Sequence, residues 1–225
     1  MHPFSYFHNN WLAIKINNET TIRMKKYFKG VVYDLGCGER DYEKEILTVA
    51  NKYVGLDWSS TLHNLKADIV ADLNFVLPVE SEVADTVLSF QVLEHLREPQ
   101  LMLNEAFRIL KPGGYMVITV PFQWWVHEAP FDYYRYTPYG LKYLFEKAGF
   151  QNIVVEPTSG FFTMWILKLN YFTARVSGPR YVRWPVKSLF IPFWFLGQVV
   201  APLLDKLDRN KELEAGGYVV IAKKS

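Results

Sequence analysis

Two groups of residues have the types and spacing for chemistry. The first is Asp34-Leu35-Gly36-Cys37-Gly38, followed about twenty residues later by Asp57. Glycines at 36 and 38 remove Cβ atoms where a ligand must approach the backbone. An acid at Asp34 suits a cationic group, and an acid at Asp57 suits ribose hydroxyls. The second group is His127, Glu128 and Asp132, within an aromatic-rich run from Pro121 to Tyr136. An imidazole with an ordinary pKa of about 6.5 suits removal of a hydroxyl proton, and His127 is the candidate base. Glu128 or Asp132 could orient it or bind sugar hydroxyls, and Arg135 could pair with an acceptor phosphate.

The elements that must hold these groups are legible around them. Val31 to Leu35 reads as a buried strand entering a glycine turn, and a helix opens near Asp41 with Glu43 and Glu45 in its first turn. The N–H groups at that turn and helix start are expected to receive an anionic group such as a carboxylate. Tyr53 to Asp57 reads as the next strand, so two strands end in one adenosine pocket. Dinucleotide folds want G-x-G-x-x-G, but Glu39, Arg40 and Asp41 follow Gly38 here, and Asp34 would repel a pyrophosphate. S-adenosylmethionine fits better, since its amino acid end offers an ammonium to Asp34 and a carboxylate to the loop.

Asp34-x-Gly36-x-Gly38, Asp57, Ala71-Asp72-Leu73 and Leu110-Lys111-Pro112-Gly113-Gly114 resemble the successive motifs of class I S-adenosylmethionine-dependent methyltransferases, type 11 among them. The resemblance covers roughly residues 30 to 160 and resumes at the C-terminus. It implies an α/β, Rossmann-like, doubly wound seven-stranded sheet whose last strand is antiparallel. It also implies that Asp34, Gly36, Cys37, Gly38, Asp57, Trp58, Asp72, Leu73, Phe90 and Gln91 line the cofactor. Within that set Asp72 would take the adenine amino group, and Phe90 and Gln91 would border the methionine moiety. Trp58 is placed either against the adenine or in the core. The family often has a third glycine where Arg40 stands. His127-Glu128-Ala129-Pro130-Phe131-Asp132-Tyr133-Tyr134-Arg135-Tyr136-Thr137-Pro138 is similar to methyltransferases that accompany bacterial surface-polysaccharide synthesis.

Length and composition frame this reading. The 225 residues suit one domain with an added subregion, and 50% hydrophobic with 16% aromatic residues exceeds what a simple soluble enzyme needs. The net charge of +2, without a basic patch carrying base-stacking aromatics, gives no reason to expect nucleic acid. A single cysteine, Cys37, excludes intrachain disulfides and reads as a small turn residue. The start Met1-His2-Pro3-Phe4 lacks a signal-peptide pattern, so a cytoplasmic location is expected. No metal is expected, and His95, in Leu93-Glu94-His95-Leu96, is read as structural.

The rest of the chain organises around the sheet. Residues 1–29 read as a helical cap, with Asn18-Glu19-Thr20 opening a helix that ends at Gly30. Residues 30–160 and 214–225 form the methyltransferase domain. Asp85 to Phe90, Tyr115 to Val120, Phe150 to Val155 and Gly217 to Ala222 read as strands. Helices run from Pro99 to Leu110, which Lys111 to Gly114 ends, and from Thr137 as N-cap to Gly149. Residues 161–213 are an apolar helical insertion between the last two strands. From 161 to 204 it carries Lys168, Arg175, Arg180, Arg183 and Lys187 with no acid, interleaved with tryptophans, as expected of an element on an anionic membrane surface. Both its ends return to one sheet edge, which excludes a single crossing. A lid over the acceptor pocket or a homodimer interface are its alternatives.

The expected function is methyl transfer from S-adenosylmethionine to an oxygen of a glycan or lipid-linked acceptor at the inner face of the cell membrane. A quinone or other small-molecule acceptor is the alternative. So is a non-catalytic, cofactor-fold subunit of a glycan-assembly complex.

Overall fold

A computed structural model describes residues 5–60 and 64–225. Strand β1 (Val31–Leu35) enters the glycine turn, and a short helix α2 (Glu43–Ile46) follows. Then come β2 (Lys52–Asp57), β3 (Ile69–Val70), β4 (Ala84–Phe90) and a 3-10 turn, Leu93–His95. Helix α3 (Pro99–Ile109) leads into β5 (Leu110–Pro121), and α4 (Pro138–Lys147) into β6 (Gln151–Pro157). Two helices, α5 (Phe161–Ala174) and α6 (Arg180–Leu204), precede β7 (Gly217–Lys223).

The seven strands form one sheet in the order β3-β2-β1-β4-β5-β7-β6. The first five are parallel neighbours, as the apolar runs and helical crossovers require. The last strands are antiparallel. Lys224 exchanges hydrogen bonds with Gly113 and Gly114 (2.7 and 3.0 Å), so the end of β7 lies beside the start of β5. Those bonds also explain why β5 begins at Leu110 rather than at Tyr115: the Lys111 to Gly114 stretch ends α3 and is at once recruited into the sheet.

Val32, Leu35, Leu56, Leu88, Val117 and Val219 are fully buried, each contributing roughly 2 kcal/mol. Register places Leu35 beside Leu56 and Asp34 beside Gly55, which fixes the glycine turn at the end of β2. Ser89 donates to the Leu35 carbonyl at 2.7 Å and fastens β4 to the same corner. Helix α4 starts as its sequence dictates, with Thr137 Oγ1 accepting from the Gly140 N–H at 3.1 Å.

The N-terminal helix differs from expectation. Helix α1 runs Trp11–Met24, so Asn18, Glu19 and Thr20 lie inside it instead of opening it. Its buried stripe of Leu12, Thr20, Thr21 and Met24 outweighs the weak helix preference of Asn17 and Asn18.

The chain divides into two compact units. One comprises residues 21–122, 126–156 and 218–225 and holds most of the sheet. The other comprises residues 1–20, 123–125 and 157–217. In this second unit the insertion is a helix pair, as expected. Asp205, beyond the end of α6, accepts from the Gly160, Phe162 and Thr163 N–H groups (2.9, 2.9 and 3.2 Å) and so caps α5. Gln198 accepts from Leu12 N–H at 3.0 Å and donates to the His8 carbonyl, tying the chain start to α6. Helix α6 is long and apolar enough to cross a membrane by length and composition, though Pro185, Pro192 and Pro202 lie inside it.

Candidate active site

The cofactor corner is assembled by β1, β2 and the turn between them. Gly36 has φ +81°, and a Cβ there would lie 2.4 Å from Val92 Cγ2, so only glycine fits. Gly38 has φ +52° and faces open space. Asp57 Oδ2 accepts the Gly38 N–H and Oδ1 the Trp58 N–H, both at 2.8 Å. Each carboxylate oxygen retains a lone pair for a ribose hydroxyl.

The loop donors correct one expectation. Gly36 and Cys37 N–H groups both donate to the Leu56 carbonyl (2.8 and 2.9 Å), and that of Gly38 goes to Asp57. The turn therefore admits a ligand at Gly38 alone, because Gly36 makes room for Val92, and its amides hold strand β2 instead of a carboxylate. Arg40 occupies the position of the absent third glycine at φ 62°. It forms a two-point ion pair with Glu43 (3.1 and 2.7 Å) and reaches Asp68 and the Lys66 carbonyl (2.9 and 3.1 Å). The far side of the loop is thus tied down by a side chain where the family often has none.

Asp34 is buried, and its carboxylate accepts from the Tyr53 hydroxyl at 2.6 Å. Its pKa is raised to about 6, chiefly by burial and also by Asp57, against the Tyr53 hydroxyl and Arg40, which lower it. Such an acid suits a cationic group. Burial, with Asp34 and Asp57 nearby, pushes Cys37 up to about 12 and makes it an inert packing residue. Trp58 is half-buried and meets Phe131 edge-on at 5.2 Å. Asp72 accepts from the backbone and side-chain nitrogens of Asn74, with Leu73 buried beside it. At the end of β4, Phe90 packs on Tyr42 and Phe28. Gln91 is held at φ 58° by bonds to Thr119.

The acceptor side is organised by the Leu93–His95 turn. The Glu94 carbonyl accepts from Tyr133 and Tyr134 N–H groups (2.9 and 3.2 Å), and the Leu93 carbonyl from the Tyr136 hydroxyl (2.9 Å). The His95 Nδ1 lies 2.8 Å from the Phe131 carbonyl oxygen. A carbonyl can only accept, so Nδ1 carries the proton. These bonds strap residues 131–136 over the turn, and the rings of His95 and His127 meet at 4.9 Å.

His127 is held by Asp132, whose Oδ2 accepts the His127 N–H at 2.9 Å and lies 3.3 Å from its Nδ1. Arg135, expected to meet an acceptor phosphate, makes a bidentate pair with Asp132 instead (2.5 and 2.7 Å). Burial alone would raise the Asp132 carboxyl, but Arg135 and the His127 N–H hold it down at about 2. Glu128 sits at the rim, its Oε2 3.9 Å from His95 Nε2. The sequence reading missed Glu94 as a site residue. It is fully buried, neither carboxylate oxygen has a hydrogen-bond partner among the described residues, and burial pushes its pKa up to about 8. The Leu-Glu-His-Leu run marks its place, but nothing local reveals that the loop beginning at Val126 closes over it. Glu94, His95 and His127 bring one carboxylate oxygen and two imidazole nitrogens together at this point, within 4.8 Å of one another.

Strand order, the glycine turn and the acid pair at the ends of β1 and β2 together are those of the class I S-adenosylmethionine-dependent methyltransferase fold. Residues 33–118 match the family described as "Methyltransferase domain". A Mycolicibacterium smegmatis protein named "Probable S-adenosylmethionine-dependent methyltransferase" is 32% identical over 58% of this chain and 54% of its own length. A "Ubiquinone biosynthesis O-methyltransferase" of Cereibacter sphaeroides is 26% identical over 66% of this chain and 74% of its own. The chain spans 54%, 30% and 42% of the length of three of the relatives it matches. Among solved structures, Haemonchus contortus phosphoethanolamine N-methyltransferase 2 in complex with S-adenosyl-L-methionine shares the fold at TM-score 0.59 and 18% identity. That match covers 92% of this chain and 52% of the other.

The residues fit the cofactor. Gly38 offers open space where a Cβ would stand, Asp57 faces the turn, and the buried Asp34 calls for a cation.

Proposed function

We propose that the protein methylates a hydroxyl oxygen of an acceptor carried on a lipid, a glycan-lipid in particular, at the inner face of the cell membrane. The observation that carries this reading is the His127–Asp132–Arg135 chain beside Glu94 and His95. S-adenosylmethionine, when bound, supplies an electrophilic methyl carbon. The chain's own residues then have three tasks. Asp34 and Asp57 hold the ammonium and ribose ends, and Trp58 and Phe131 keep water from the space between them. His127, its ring held by a permanently ionised Asp132, accepts the acceptor's proton.

The lipid part of the reading is supported by the second unit alone. Phe172, Leu189, Phe193, Leu196 and Leu203 on α5 and α6 are each more than half exposed, beside Trp165 and Trp184. Lys168, Arg180, Arg183 and Lys187 lie on those helices and Arg175 just after α5, with no acid from 161 to 204. Tryptophans, cations and exposed aliphatics together suit an anionic bilayer surface. A second reading, a quinone-like ring acceptor, is favoured by the names of the Cereibacter relatives and by the aromatic loop. In both readings the methyl goes to oxygen. Treating the labelled product with mild alkali tests that point: an ether keeps its label, whereas release as methanol indicates a carboxyl ester and removes the hydroxyl assignment.

A further inference from the structure

Glu94, His95 and His127 bring one carboxylate oxygen and two imidazole nitrogens within 4.8 Å of one another. Glu94 is fully buried and neither of its oxygens has a hydrogen-bond partner among the described residues. A buried carboxyl without a hydrogen-bond partner among the described residues is costly, and a cation held against it would satisfy its oxygens. The Nε2 of His95 is 3.7 Å from Glu94 Oε1. Since the His95 Nδ1–H donates to the Phe131 carbonyl, that Nε2 presents a lone pair toward the carboxylate. His127 has the same construction, with Nδ1 3.3 Å from Asp132 Oδ2. A ring nitrogen braced by a carbonyl or carboxylate is how a metal-binding histidine is oriented.

We propose that Glu94, His95 and His127 form a divalent-cation site, open at one position to the acceptor hydroxyl. Metal–ligand bonds of about 2.1 Å in a tetrahedral site separate ligand atoms by roughly 3.4 Å. The 3.7 Å carboxylate–imidazole spacing is already close to that, and the widest spacing, within 4.8 Å, must shorten by up to about 1.4 Å. One carboxylate with two imidazoles suits a borderline ion such as Zn2+, which Co2+ can replace as a visible probe. The role of the site rests on the hydroxyl-methylating reading above. With the cation present His127 would be a ligand in place of the base, and the cation would lower the pKa of the bound hydroxyl. The proton passes to Glu128 at the rim, and the metal keeps its oxidation state.

The test is titration of chelator-stripped protein with Co2+, read by visible absorption. Wild type should saturate at one ion per chain. Glu94→Gln and His127→Gln should each weaken Co2+ binding by on the order of 100-fold, because losing a ligand costs at least as much as losing a supporting residue. S-adenosylmethionine affinity should stay within twofold of wild type, which shows that the fold survives. No saturable Co2+ binding to wild type, or unchanged binding in both variants, overturns the site. Co2+ binding by a protein that methylates no hydroxyl keeps the site and overturns the acceptor reading. Full methylation in chelator, with no Co2+ bound, does the reverse.

Discussion

Asp57 Oδ2 accepts the Gly38 N–H at 2.8 Å, so the acid at the end of β2 also holds the glycine turn that follows β1. Its removal therefore costs twice, once through the ribose and once through the turn. Asp57→Ala should weaken S-adenosylmethionine binding more than tenfold by calorimetry. Unchanged affinity would dissolve the pocket assignment.

Asp34 makes cofactor binding dependent on pH. Its folded pKa is raised from 3.8 to about 6, chiefly by burial. An acid raised on folding contributes stability that is complete below about pH 4 and is lost as pH climbs through about 6, here about 3 kcal/mol. Asp57 adds to the upward shift, and Arg40 and the Tyr53 hydroxyl oppose it. Binding of an ammonium needs the carboxylate ionised, so S-adenosylmethionine affinity should rise between about pH 5 and pH 7. A flat affinity over that range would show that Asp34 does not face the ammonium.

Arg40 adopts a left-handed backbone and offsets it with four hydrogen bonds. Arg40→Ala keeps the strained φ and loses the bonds, and should cost about 2–3 kcal/mol. Arg40→Gly relieves the strain, and should be less destabilising than Ala by about 1 kcal/mol in chemical unfolding. Equal losses would mean that backbone strain plays no part at this position.

His127 and Asp132 should affect turnover without affecting cofactor affinity. His127→Ala should slow transfer by about 100-fold or more, and Asp132→Asn should follow it in direction through loss of the Arg135 pair and of the His127 contact. Wild-type turnover in His127→Ala removes that residue from the chemistry.

Phe193 and Leu196 are exposed on α6 at 66% and 59%. Changing both to Glu should lower pelleting with anionic vesicles at low salt while leaving the fold intact, because it adds charge to an exposed apolar face. Undiminished pelleting would place any membrane contact elsewhere.

Much of the fold was legible because it rests on local signals. Val31–Leu35 before Gly36, Pro138 after Thr137, and Gly217 before an apolar run each mark an element by short-range chemistry. The insertion was legible as a helix pair for the same reason. What escaped was set by contacts distant in sequence. Helix α1 starts at Trp11 because of a buried stripe that Asn17 and Asn18 interrupt, and β5 starts at Leu110 because Lys224 pairs with Gly113 and Gly114. In the site, Asp34, Asp57 and His127 could be singled out by type and spacing. That the turn amides are taken by Leu56 and Asp57, that Arg135 belongs to Asp132, and that Glu94 is sealed without a donor depend on strand register and on the strap of residues 131–136. No local pattern encodes them.

The most direct test of the central claim is incubation of the purified protein with methyl-labelled S-adenosylmethionine and a membrane extract from its own source, followed by partition of the label between organic and aqueous phases. The account predicts label in the organic phase, with Asp57→Ala and His127→Ala both depleted of it. Label confined to water-soluble material would contradict the lipid-carried acceptor, and no transfer despite measured cofactor binding would contradict the methyl-transfer reading itself.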